Sequence, residues 1–65
     1  MTGEQLANLP LNAEVYLHHG VDENEIGVIV QVGPVVHIKW PGSLVNFVDT
    51  KSVKWKSFIS WLEAV

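Results

Sequence analysis

Three histidines, four lysines and six aromatic side chains (three Trp, two Phe, one Tyr) are the residues of this 65-residue chain best suited to recognition chemistry. His18, His19 and His37 are its only imidazoles. Two imidazoles with a nearby carboxylate can hold zinc. His18 and His19 are neighbours on a predicted strand, however, and neighbours on a strand point to opposite faces. They do not converge on one ion, and all three read as surface residues. Lys39, Lys51, Lys54 and Lys56, with Trp40 or Trp55 among them, form a second constellation. Lysines interleaved with aromatics suit single-stranded nucleic acid, through backbone charge and base stacking. There is no Arg to make forked phosphate or base contacts. Catalysis finds little support: the chain has no Cys, no Gly-rich phosphate loop and no Gly-X-Ser-X-Gly elbow. Ser43, Ser52, Ser57 and Ser60 have no evident paired base. A non-enzymatic chain without a cofactor is the expectation.

Something must hold these residues in place, and composition limits what it can be. Without Cys there is no disulfide, so the core of a chain this short depends on packing alone. A 48% hydrophobic and 17% charged composition is apolar enough to supply one. One domain over residues 1–65 is expected. No apolar run approaches the ~20 residues of a membrane-spanning helix. The first residues, MTGEQLANLPL, lack the basic and apolar segments of a secretory signal, so a cytoplasmic location is expected. The formal charge of −3 argues against a generic nucleic-acid binder, although all four Lys lie in the second half of the chain.

The pattern of residues then predicts the elements. TGEQ at 2–5 is a capping box opening a short helix at about 3–8, which Pro10 stops and Leu6 and Leu9 pack down. EVYLHH at 14–19 alternates as a strand, with Val15 and Leu17 on one face and Glu14, Tyr16 and His18 on the other. A polar loop covers 20–25. IGVIVQV at 26–32 predicts a strand with Ile26, Val28, Val30 and Val32 on one face. VVHIKW at 35–40 places Val36, Ile38 and Trp40 on one face, opposite Val35, His37 and Lys39. LVNFV at 44–48 puts Val45 and Phe47 together, and VKW at 53–55 reads as a brief fifth strand. In the tail, Phe58, Trp61, Leu62 and Val65 fall at i, i+3, i+4 and i+7, one face of a helix over about 57–64 with Ser57 as its cap.

Five short strands joined by tight turns point to a mainly β fold, a small antiparallel barrel with a short helix at each end. The segments EVYLHHG, GVIVQV, VVHIKWPGS, LVNFV and TKSV follow one another as in an SH3-like barrel of the Tudor and KOW type, which residues 12–55 resemble. The resemblance implies a binding module for peptides, modified side chains, nucleic acids or other subunits. It also implies that Tyr16, Trp40, Phe47 and Trp55 stand near the places where Tudor-like domains build an aromatic cage for a methylated cation. Trp40 and Phe47 fall on predicted core faces, and core packing is the plainer reading of this set. Type II dihydrofolate reductases use a barrel this small and carry Val-Gln-Ile-Tyr in the fourth strand. Here that place holds LVNF, without the Gln.

The expected function is binding of another protein, as an adaptor or inhibitor of a larger machine, by a monomer or weak homodimer. The expected contact residues are Tyr16, His37, Lys39, Trp40 and Phe47 on the strands, and Phe58, Trp61 and Leu62 on the C-terminal helix. Nucleic acid bound by Lys39, Lys51, Lys54, Lys56 and Trp55 is the alternative.

Overall fold

Alternation in the sequence becomes a five-stranded antiparallel sheet in the computed structural model, which describes residues 1–18 and 25–65. His19 of the predicted first strand, and the predicted loop up to residue 24, lie outside the described residues. Helix α1 (Gly3–Ala7) is followed by strands β1 (Glu14–Leu17), β2 (Gly27–Gln31), β3 (Val35–Lys39) and β4 (Val45–Asp49). A 3₁₀ turn (Val53–Trp55), helix α2 (Lys56–Trp61) and strand β5 (Leu62–Ala64) complete the chain. The strand order is β4-β3-β2-β1-β5, a curled half-barrel in which β4 and β5 form the two ends. Among the described residues no helix is long and apolar enough to cross a membrane.

The concave side is the core. Val15, Ile29, Val36, Ile38, Trp40 and Val48 enter it from β1 to β4 and the residue after β3, Leu6 from α1, Ile59 from α2 and Leu62 from β5. Helix α1 carries its capping box as expected: Thr2 accepts from the Gln5 N–H, and the Gln5 side chain accepts from the Thr2 N–H. Five residues are too few for a free-standing helix, and burial of Leu6 holds this one in place. Between β3 and β4, Pro41 followed by Gly42 at φ 85° is the residue pair of a type II turn.

Three elements differ from their sequence pattern. In β2 it is Gly27 and Ile29 that face the core, while Val30 and Val32 are exposed. The cause is Trp40. A Cβ on Gly27 would stand 2.9 Å from ring atoms Cε3 and Cζ3 of Trp40 and 2.7 Å from Cγ2 of Ile38. Only glycine leaves room for the indole. A bulge between Ile29 and Gln31 then breaks the alternation, so that Val30 and Gln31 both lie outside.

In β4 the inward residues are Asn46 and Val48, not Val45 and Phe47. A shift of one residue sends every side chain to the other face. The indole of Trp40 sets the phase here too, because a buried N–H needs an acceptor. Nε1 of Trp40 donates to Oδ1 of Asn46 at 2.6 Å. Asn46→Ala removes that acceptor and is expected to lower stability by about 1–3 kcal/mol. A urea titration checks it, with a lower midpoint and an unchanged slope.

The third difference is the C-terminal segment. VKW forms the 3₁₀ turn, with Ser52 accepting from the Lys54 N–H, and not a strand. Helix α2 begins at Lys56, its N-cap is Trp55 without a side-chain bond, and Ser57 lies inside it. The chain becomes extended at Leu62 and pairs with β1, Leu17 opposite Leu62 and Val15 opposite Ala64. The fifth strand is therefore Leu62–Ala64, which gives β1 a second neighbour and buries Leu62. The nitrogen of Met1 donates to the carbonyls of Leu62 (2.7 Å) and Ile59 (3.3 Å), satisfying acceptors that a helix end leaves open.

Candidate functional site: the outer face and free edge of β4

With Trp40 and Asn46 turned inward, the convex side of β2, β3 and β4 is left with an apolar surface. Phe47 is 59% exposed and Val30 44%, with Val35 beside them, and Leu44 and Val32 are exposed just beyond the ends of β4 and β2. Phe47 lies directly opposite His37, and the two rings meet edge to face with centroids 4.5 Å apart. Lys39 stands on the same face, between Val28 and Val45 in register, and Glu14 lies beyond Val28. The result is a valine and phenylalanine surface crossed by a His, a Lys and an acid. Exposed apolar patches with polar rims mark contact surfaces.

The hydrogen-bond parity of the sheet shows which backbone groups are free. The N–H of Trp40 donates to the Leu44 carbonyl and that of Thr50 to the Pro34 carbonyl. Bonded and non-bonded pairs alternate in an antiparallel ladder. Ile38–Asn46 and Val36–Val48 are therefore the bonded pairs of β3 and β4. Val45, Phe47 and Asp49 aim their N–H and C=O groups away from β3. Non-bonded pairs also bring side chains closer, which accounts for the contact of His37 with Phe47. Asp49 is engaged within its own turn, its carbonyl accepting from Ser52 and its carboxylate from the Lys51 N–H. The open stretch of edge is Val45–Val48, and it contains neither a charge nor a proline.

The residues expected to bind a partner are divided by this fold. His37, Lys39 and Phe47 come together on the outer face of β3 and β4. Tyr16 is half-buried on β1, opposite Glu63 of β5. Trp40, expected to show an edge to solvent, is 6% exposed and belongs to the core. Leu62, expected on a helix face, is buried in β5. Phe58 is half-buried against Trp55, ring centroids 5.3 Å apart, while Trp61 is exposed. Trp40 and Phe47 point to opposite sides of the sheet, so these aromatics do not converge on one cage.

The lysines are divided as well. Lys39 pairs with Val45 at one end of β4, and Lys51 follows the other end at Asp49. Four residues of strand, about 13 Å, separate the two ends. Lys51 and Lys56 line a mostly apolar cleft of about 430 Å³, together with Met1, Thr2, Glu4 and Val53. Strand β2 lies between the strands carrying His37 and leading to His18. Among the described residues no three His, Cys, Asp or Glu side chains could hold a metal ion together.

Val30, Val35 and Val45 complete the outer surface, with Val32 and Leu44 exposed beyond the strand ends, and none of these is among the expected contact residues. Two features of the sequence mark them: a glycine, Gly27, within a β-branched strand, and an asparagine, Asn46, in the middle of an apolar one. Each marks the face that a tryptophan fills, and so leaves its valine neighbours outside. Comparison with protein-family models, with curated proteins and with solved structures finds no match.

Proposed function

We propose that this chain is a small non-enzymatic interaction module that binds another protein through the outer face of β2, β3 and β4. The observation that carries the reading is the exposure of Phe47, 59%, amid exposed valines in a fold that buries Trp40 instead. Aromatic side chains standing in an apolar surface are the usual anchors of protein interfaces. An adaptor or inhibitor of a larger assembly is the role that suits a module of this size. The arrangement supports an SH3-like barrel of the Tudor and KOW type: four meandering strands, a 3₁₀ turn, then a last strand returning to the first.

The test uses Val30→Asp combined with Val35→Lys, which places two charges on this face away from the core, the second opposite Asp49 and of opposite sign. Both side chains are exposed, so the thermal melt is expected to stay close to that of the wild type. Proteins captured from a lysate of the source organism by the wild type, identified and purified, are expected to bind the double variant at least tenfold more weakly. Equal affinity for both overturns the reading. So does tight binding of oligonucleotides at low salt that weakens steeply as salt is raised, the signature of phosphate contacts.

A further inference from the structure

We propose that β4 pairs with β4 of a second copy of the chain, antiparallel about a two-fold axis at Asn46, joining two five-stranded sheets into one. The inference concerns the edge that borders the valine surface and stands whatever covers that surface. Its basis is the open stretch Val45–Val48, whose outward N–H and C=O groups at Val45 and Phe47 have no acceptor or donor within the sheet. Natural edges are commonly protected by a charge, a proline, a bulge or a covering segment. This stretch has no charge and no proline, and its pairing with β3 is regular over all five residues.

A second copy is the occupant because the strand is complementary to itself in one register. Pairing through the outward groups must set Val45, Phe47 and Asp49 of one strand against the same set in the other. With the axis at Phe47, the Asp49 carboxylate is placed opposite Val45. With the axis at Asn46, Val45 faces Phe47 of the copy on both sides of the axis, and each pair exchanges both of its N–H···O bonds. The exposed Leu44 then lies opposite Val48, and Asp49 lies opposite the hydroxyl of Ser43. Apolar residues meet apolar ones, polar residues meet polar ones, and no like charges oppose each other. On the outer face one row runs from Val28, Lys39 and Val45 to Phe47, His37 and Gln31 of the copy.

The assembly closes at two. The other end of the sheet, β5, carries Glu63 and is bordered by the α1 segment, with the Met1 nitrogen donating to the outward carbonyl of Leu62. Among the described residues this leaves one open edge per molecule, which gives an isologous dimer and not a fibre.

Sedimentation velocity from micromolar to millimolar concentration tests the proposal. The wild type is expected to move from the 7.2 kDa of one chain toward twice that mass. Val45→Pro removes an N–H that faces away from β3 and sets the proline ring where the copy would dock, a position an edge strand tolerates. It is expected to keep the wild-type circular dichroism and to stay at the mass of one chain throughout. Val45→Glu, which keeps the N–H, faces Lys39 within its own sheet and sets a charge against Phe47 of the copy, is expected to do the same and carries the test if the proline variant does not fold. The Val30→Asp, Val35→Lys double variant is expected to dimerise like the wild type, so loss of partner binding and loss of self-pairing are read separately. A wild type at the mass of one chain up to millimolar concentration overturns the proposal. So does a mass beyond two chains, or a folded Val45 variant that dimerises as the wild type does.

Discussion

Trp40→Ala is expected to lower the stability of the fold by about 3–5 kcal/mol. The indole is 6% exposed, lies against Gly27, and donates to Asn46 at 2.6 Å. Truncation opens a cavity under the centre of the sheet and leaves a carbonyl oxygen on the inner face without its donor. A 65-residue chain at about 0.05–0.15 kcal/mol per residue has roughly 3–10 kcal/mol in all, so this one change removes a large part of it. Each kcal/mol shifts Tm by about 4–8 °C in a domain of this size. A melt followed by far-UV circular dichroism is therefore expected to show a Tm lower by at least about 12 °C. A Tm within a few degrees of the wild type contradicts the central place given to this side chain. Trp40→Phe, which keeps a six-membered ring and loses the pyrrole ring with its N–H, is expected to fall between the two.

Gly27→Val is expected to destabilise by about 1–3 kcal/mol or more through overpacking, although valine is the better strand residue. A Cβ at that position meets Ile38 and the ring of Trp40 at less than 3 Å, and the γ-methyl groups extend the clash. The decisive variant is the double one. If the indole is what excludes a side chain at 27, then Gly27→Val and Trp40→Leu together are less destabilising than their sum. The coupling expected for residues in direct contact is about 0.5–3 kcal/mol. Additive effects in urea titrations of the four proteins would show that the two sites do not share space.

Much of this architecture was legible in the sequence, for reasons that also explain the rest. Thr2 and Gln5 announce α1 because a capping box is a local signal. In β3, polar and apolar residues alternate from Val36 to Trp40, and the predicted core face is the observed one. In β2 both faces are apolar. Ile26, Val28, Val30 and Val32 read as well inward as Gly27 reads poorly, and only the shape of Trp40 against Gly27 turns Gly27 and Ile29 inward. In β4 size favoured Phe47 for the core, while the hydrogen bond of Trp40 drew Asn46 inward and left Phe47 outside. The tail fits a helix by spacing, yet Leu62 leaves the helix because β1 offers a strand edge to pair with. Contacts between different segments decided all three. The candidate site was legible only in part for the same reason. His37, Lys39 and Phe47 were singled out and do meet on one face, but the valines around them became surface residues only once the phases of β2 and β4 were set.

Those phases also set the backbone edge on which self-pairing rests, and amide hydrogen exchange reads it residue by residue. In dilute solution Asn46 and Val48, bonded to β3, are expected to exchange slowly, while Val45 and Phe47 exchange fast. At concentrations where the mass doubles, Val45 and Phe47 are expected to become protected and the others to change little. Exchange at Val45 and Phe47 that does not respond to protein concentration would contradict the account.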